Sequence, residues 1–184
     1  MSSDCIAWTL RPTRLGLLLV AGSRRGVCHV RFGEDEEELA RAMAAEFPYA
    51  VTRRDDVAVA SHADALAAYV DGRAPDLEVP LDVRGSAFQR RVWDALRTIP
   101  RGETRSYSDV AALIGRPGAA RAVARACAGN PLALVVPCHR VVPASGGSGG
   151  YRYGSWRKSA LLEAEASSPL ADPAGRPRRR RPAA

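Results

Sequence analysis

The apolar pattern of this 184-residue chain changes in kind near residue 84. Before that point, three short apolar segments, 6–10, 15–21 and 26–32, are separated by turn residues, which predicts a β-meander. After it, apolar residues recur at helical spacing behind capping residues, which predicts a series of short helices. We therefore predict an α/β protein of the α+β type, with a small sheet-and-helix domain followed by a mainly helical domain.

The change coincides with the segment APDLEVPLDVRG, residues 74–85, which is extended and punctuated by Pro and Gly. We place a domain boundary there, so that residues 1–83 form a companion domain and residues 84–166 form a second domain. Residues 167–184 are rich in Arg, Pro and Ala, a composition typical of a disordered tail.

Two helices are predicted after the meander in the first domain. Acidic residues crowd the start of segment 34–47, where they suit a helix N-terminus, and apolar residues then recur every four positions. A capping box at Ser61 and Asp64 predicts a second helix that continues to Val70.

The second domain carries a helix-turn-helix pattern. Capping boxes at Ser86-x-x-Gln89 and Ser106-x-x-Asp109 predict two helix starts. A tight turn containing Gly joins the latter helix to a third helix within 119–130, which is the spacing of a helix-turn-helix unit.

The third helix is nearly all alanine, with Arg121 and Arg125 one turn apart. Readers of the major groove usually present several polar side chains to the bases, and this helix does not. It suits close approach to a narrower groove or to phosphates, and it also suits an Ala-rich core helix with Arg at its rim. The pattern leaves both interpretations open.

Charge is unevenly distributed along the chain. Residues 1–83 carry a net charge of −5, residues 84–165 carry +8 and residues 166–184 carry +4. A concentrated positive field attracts polyanions, although an ordinary solvated basic face has the same composition.

The longest apolar runs are far shorter than the roughly 20 residues that span a bilayer. The N-terminus has no charged start followed by a long apolar segment, so we expect no secretory signal and a cytoplasmic location. Cysteines in such a protein are expected to be free thiols. Cys5, Cys28, His29 and His62 could converge on a metal ion, but their spacing specifies no tetrahedral site, and we predict none.

The segment LALVVPCHRVV, residues 132–142, joins an apolar run to a thiol and an imidazole. The run predicts a buried strand, and burial would raise the pKa of Cys138 and silence it. An imidazole held by a carboxylate is the usual remedy. Because adjacent side chains at a strand end point apart, His139 would need a bridging water or a sharp turn, which Pro137 favours. Alone, the Cys-His pair is weak evidence of function and favours an inert buried thiol.

Residues 85–165 contain the PCHRV segment, the helix-turn-helix pattern, the Asn-Pro pair and a Gly-Tyr loop. With these features at matching intervals, they resemble the catalytic domain of O6-alkylguanine-DNA alkyltransferases, the methylated-DNA–protein-cysteine methyltransferases. That resemblance implies a winged-helix-like domain. The N-terminal half, including RGVCHVRFGED, is more loosely similar to the ribonuclease-H-like companion domain of bacterial members.

The resemblance implies a suicide repair reaction. Cys138 would attack the methyl carbon on O6 of guanine and keep the group as a thioether. His139 would take the thiol proton through a water, Glu165 would orient His139, and Asn130 would brace the active-site turn. No external cofactor is implied.

The resemblance also assigns the groups that hold the substrate. The Tyr151 hydroxyl and the Arg152 backbone amide would assist the leaving oxygen, the backbone at Cys138 and Val141 would bind the exocyclic amine, and Lys158 would lend support.

A base inside a duplex is out of reach, so such a protein must flip it. Tyr107 would push on the 3′ phosphate and Arg121 would fill the vacated space, while the small third helix, with Arg125, would lie in the minor groove. The implied partner is double-stranded DNA that contains O6-alkylguanine, and possible substrates extend to O4-methylthymine. We expect a monomer.

Two features of some family members are not expected here. The eukaryotic members bind zinc, but Ser23 stands roughly where a second cysteine would fall. One bacterial relative carries an activator module for which this chain is too short. Two other functions are compatible with parts of the pattern. One is a DNA-binding regulator or damage sensor without transfer, which the Cys138-His139-Glu165 set argues against. The other is a cysteine hydrolase, for which no oxyanion-hole motif is visible.

Overall fold

The computed structural model describes residues 5–74 and 76–167. Near the N-terminus an antiparallel meander confirms the predicted one; its strands are β1 (Cys5–Thr13), β2 (Gly16–Ser23) and β3 (Gly26–Gly33). A fourth strand, β4 (Val51–Arg54), pairs parallel to β1 and gives the order β3-β2-β1-β4. The sequence does not predict β4, because its four residues carry little apolar alternation.

Two helices cover the two faces of this sheet: α1 (Glu36–Glu46) and α2 (Ala60–Val70). The predicted capping box of α2 is wrong. The N-cap is Val59, no side chain caps the helix, and Asp64 instead accepts a hydrogen bond from Arg11 Nε at 2.6 Å. Packing of the buried Val59 and Ala63 sets the start of α2 in place of a local hydrogen bond.

The second domain consists mainly of helices: α3 (Ala87–Arg97), α4 (Tyr107–Leu113), α5 (Ala120–Ala128) and α6 (Ser155–Ser167). Both predicted capping boxes are confirmed, at Ser86 with Gln89 and at Ser106 with Asp109. A two-residue parallel ladder joins β5 (Arg105–Ser106) to β6 (Val141–Val142). Ser167, the first residue of the predicted tail, belongs to α6, and residues 168–184 lie outside the described part of the chain.

One hydrophobic core spans both halves of the chain. Val20 and Val30 of the sheet and Leu66 of α2 belong to the same buried cluster as Trp93 and Leu132 from the second half. The cluster therefore fixes the helical half against the sheet.

The outer edge of β3 is paired with the segment that leads to Cys138. Val30 N donates to Pro131 O at 2.8 Å, and Ala133 N donates to Val30 O at 3.1 Å. The sheet thereby anchors the backbone a few residues before the thiol.

The predicted buried strand before Cys138 is wrong. Only Leu132 forms a bridge with β3, and the chain then turns at Leu134, whose φ is +71°. Val135 N donates to Ala133 O at 2.8 Å across this turn. An apolar run of this length indicates burial but does not specify the backbone conformation. For that reason the pattern predicted a strand where the structure has turns.

Within residues 5–74 and 76–167, no helix is long and apolar enough to cross a membrane.

A substitution at Gly26 tests how closely the backbone of Pro80 and Leu81 packs on the sheet. Gly26 has φ +140°, and an added Cβ would press on the Pro80 backbone, 2.8 Å from Leu81 N. Gly72 also has a positive φ, +74°, but a Cβ there meets nothing within 4 Å. We expect Gly26→Ala to lose about 2 kcal/mol more unfolding free energy in urea than Gly72→Ala. Equal losses would contradict the close packing.

Candidate active site

Cys138 begins a 3-10 turn, Cys138–Arg140, and lines a cavity of about 250 Å³. Pro137, at φ −79° and ψ 61°, forms a tight turn in which Cys138 N donates to Val136 O at 2.8 Å. The thiol is 7% exposed, so the cavity is its route to a substrate. The sharp turn that Pro137 favours is present.

Asn130 braces this turn from within. Its Nδ2 donates to Val136 O at 2.9 Å and lies 3.3 Å from Cys138 Sγ, while its Oδ1 accepts from Leu132 N at 2.9 Å. One buried amide thus satisfies backbone groups that would otherwise be unpaired, and it also contacts the thiol.

His139 and Glu165 are in contact and both are buried. His139 Nε2 lies 2.9 Å from Glu165 Oε1. Because an ionised carboxylate only accepts hydrogen bonds, Nε2 carries the imidazole proton and Nδ1 is left as an acceptor. Nδ1 has no hydrogen-bond partner in the described part of the chain.

Arg140 and Tyr69 complete the surroundings of Glu165. Arg140 Nε and Nη2 each donate to the carboxylate at 2.9 Å, and the Tyr69 hydroxyl donates to Oε1 at 3.2 Å. Gly102 N donates to Oε2 at 3.3 Å. Burial would raise the pKa of Glu165, but the hydrogen bonds from His139 and Arg140 outweigh it and hold the pKa far below its usual value.

The sequence prediction included neither Arg140 nor Tyr69. An arginine inside an apolar segment was a usable signal, because a buried guanidinium needs a carboxylate. Nothing in the sequence points to Tyr69, which lies 96 positions from Glu165.

Burial keeps Cys138 and His139 neutral at rest. It raises the pKa of the thiol, against the hydrogen bond from Asn130 and the charge of Lys158. It lowers the pKa of His139, against the carboxylate of Glu165. The resting site is therefore a thiol beside a neutral imidazole with a free acceptor nitrogen.

Two of the remaining predicted substrate-binding residues line the cavity, and the third, Val141, binds Lys158 through its carbonyl oxygen. Tyr151 lines the cavity, with its hydroxyl oxygen buried and unpartnered among the described residues. Its ring meets that of His139 edge to face at 6.5 Å. Arg152 also lines the cavity, and Val141 O accepts from the buried Lys158 Nζ at 2.6 Å.

The predicted DNA-binding residues lie on α4 and α5, two helices that contribute residues to the wall of the cavity. Tyr107 is the first residue of α4 and lines the cavity. On α5, Val123 and Ala126 are buried while Arg121 and Arg125 are exposed. The helix is thus a core helix on one face and presents arginine on the other.

Among residues 5–74 and 76–167, no cluster of three or more His, Cys, Asp or Glu side chains could hold a metal ion.

The site combines a buried cysteine that lines a cavity, an adjacent histidine–carboxylate pair and the helix pair α4–α5, as expected for a DNA-binding methyltransferase. Residues 87–167 match the family model described as the DNA-binding domain of 6-O-methylguanine DNA methyltransferase, and residues 6–83 match the model of its ribonuclease-like domain. The chain belongs to the methylated-DNA–protein-cysteine methyltransferase family.

Three known proteins illustrate the similarity. The methylated-DNA–protein-cysteine methyltransferase of Mycolicibacterium paratuberculosis is 46% identical over 82% of this chain and 87% of its own length. The Mycobacterium tuberculosis protein OGT, solved in complex with DNA, is 42% identical with a TM-score of 0.73, covering 89% of this chain and 93% of that one. The bifunctional transcriptional activator/DNA repair enzyme Ada of Escherichia coli is 45% identical over 89% of this chain, which spans 46% of Ada.

Glu165→Gln tests the buried carboxylate. Because it leaves Arg140 without its counter-charge, we expect a loss of about 3 kcal/mol in unfolding free energy at pH 7. The folded pKa of Glu165 is depressed, so its stabilisation is full above the unfolded value near 4.3 and declines as pH falls below that. Urea unfolding from pH 7 to 3.5 should therefore show that the difference in unfolding free energy between Glu165→Gln and wild type narrows only below about pH 4.

Glu163→Gln is the matched control, since Glu163 is exposed on the same helix. It should change stability little. A pH-independent gap for Glu165→Gln would contradict the ionised carboxylate.

Proposed function

We propose that this protein repairs O6-methylguanine in double-stranded DNA by transferring the methyl group irreversibly to Cys138, one methyl per molecule. The observation that carries the proposal is a cavity-lining thiol, Cys138, whose sulfur lies 3.3 Å from Asn130 Nδ2 and whose chain neighbour His139 contacts Glu165 at 2.9 Å. Family membership supports it, as do relatives named for this activity.

The first step is removal of the thiol proton. His139 Nδ1 is the available acceptor, and a bridging water carries the proton to it from Cys138. Glu165 then stabilises the imidazolium that forms, because its carboxylate already contacts Nε2 at 2.9 Å. Asn130 Nδ2, 3.3 Å from the sulfur, stabilises the thiolate.

In the second step the sulfur attacks the methyl carbon, the carbon–O6 bond breaks and guanine retains the electron pair. Tyr151 is the donor to the leaving oxygen, together with the Arg152 amide. Burial raises the pKa of Tyr151 far above its usual value, so the hydroxyl keeps its proton and can donate it in a hydrogen bond. The substrate supplies its own leaving group, so the reaction requires no cofactor.

The product is a thioether, whose sulfur no longer has a proton to lose, and the site cannot repeat the reaction. All the proposed catalytic groups belong to one chain, so the proposed reaction requires no partner subunit, and we propose that the protein acts as a monomer.

The base must leave the duplex to reach Cys138. Arg121, exposed near the start of α5, is the residue that enters the stack, while Tyr107 at the N-terminus of α4 contacts the neighbouring phosphate. The small exposed face of α5, with Arg125, lies in the minor groove.

A duplex that carries one O6-[methyl-³H]guanine tests the proposal. We expect one label per protein, located on Cys138 by peptide mass spectrometry. Cys138→Ala should abolish labelling and keep binding to the duplex. Binding without label would instead indicate a damage sensor, and repeated turnover of ester substrates would indicate a hydrolase.

Arg121→Ala should separate base flipping from methyl transfer. We expect the transfer rate from duplex DNA to fall at least about 10-fold, because the vacated space is no longer filled. Transfer from a short single strand should change much less, since its base is already unstacked. Arg41→Ala, at an exposed position of α1, is the control and should alter neither rate.

A further inference from the structure

The cavity at Cys138 contains a second thiol that the proposed methyl transfer does not use. Cys127, in the last turn of α5, lines the same cavity of about 250 Å³. A cavity of this size is smaller than a typical pocket for a drug-sized ligand. Groups on its walls therefore face each other across little more than one bound base.

Lys158 lies close to both thiols. Its Nζ is buried and held by Val141 O at 2.6 Å and Gly150 O at 3.4 Å. Its positive charge lowers the pKa of Cys127 and of Cys138, and both thiolates in turn raise the pKa of Lys158, which burial lowers. One ammonium therefore acts on both of the thiols that line this cavity.

We propose that Cys127 is the resolving thiol of Cys138: when a hydroperoxide oxidises Cys138, Cys127 captures it as a reducible disulfide. In the proposed methyl transfer, Cys138 accepts one methyl group per molecule, and no other residue takes over this role. Oxidation to the sulfinic acid would destroy it irreversibly, whereas a disulfide returns both thiols on reduction.

The chemistry balances with hydrogen peroxide as the oxidant. The Cys138 sulfur attacks one peroxide oxygen, the O–O bond breaks, and the sulfenic acid and water form. The Cys127 sulfur then attacks the Cys138 sulfur, the S–O bond breaks, and hydroxide leaves with the Cys127 proton as a second water. The sum is two thiols and one peroxide converted into one disulfide and two waters.

Electrostatics assign different roles to the two thiols. Burial, and then the charge of Cys138, raise the pKa of Cys127 to about 12, so Cys127 stays protonated and unreactive while it is alone. Cys138 has Asn130 and the His139–Glu165 pair to support its thiolate. Once Cys138 is a sulfenic acid, it no longer competes for the positive charge of Lys158, which then favours the thiolate of Cys127.

The test exposes the full chain to a small excess of hydrogen peroxide, blocks free thiols with N-ethylmaleimide and maps the peptides by mass spectrometry. We expect a peptide pair joined through Cys127 and Cys138. After dithiothreitol, about 80% or more of the Cys138 thiol should be recovered in the wild type and less than about 20% in Cys127→Ser, where Cys138 proceeds to the sulfinic acid. Cys127→Ala, which suits the Ala-rich helix, should behave like Cys127→Ser.

Cys5→Ser is the control, because Cys5 is an exposed thiol outside the cavity, and it should preserve the Cys127–Cys138 link. Equal recovery of Cys138 in Cys127→Ser and wild type would overturn the proposal, as would a link from Cys138 to Cys5 or Cys28. The readout is the state of the sulfur atoms, so its failure is distinguishable from a failure of methyl transfer.

Discussion

The buried carboxylate of Glu165 joins parts of the chain that are distant in sequence. It accepts hydrogen bonds from the active-site turn through His139 and Arg140, from α2 through Tyr69, and from the backbone at Gly102. A carboxylate buried alone would take up a proton, and a guanidinium buried alone would be strongly destabilising. Each is tolerated only because the other is present, so α2, α6 and the turn at Cys138 must assemble together.

The same burial that makes this network necessary also controls reactivity. Cys138 and His139 are both neutral at rest, because desolvation disfavours the charged form of each. In the proposed reaction, charge develops when a proton moves from the thiol to the imidazole; Glu165 then stabilises the imidazolium and Asn130 stabilises the thiolate. In that proposal, a thiol that reacts only once benefits from being unreactive until a substrate fills the cavity.

The main role of the N-terminal sheet is to position the active-site turn. The edge of β3 that does not pair with β2 is covered by residues 131–133. Gly26 allows the backbone of Pro80 and Leu81 to pack against the same strand. An uncovered edge would be prone to pair with other chains. Here that edge serves as the template that places the tight turns at Leu134 and Pro137, and with them the thiol. Tyr69 of α2 also belongs to this half, and its hydroxyl donates to Glu165.

The sequence by itself determined the features that depend on short-range interactions. The meander follows from short apolar segments separated by turn residues, the starts of α3 and α4 follow from hydrogen bonds at Ser86 and Ser106 over three residues, and the thiol–imidazole pair is contiguous. Tertiary structure alone decided the parallel pairing of β4, the start of α2 at Ala60, the turns that replace a strand before Cys138, and the Arg140–Glu165–Tyr69 network. Those features close long loops, and their entropic cost is offset only by burial that the whole packed molecule provides.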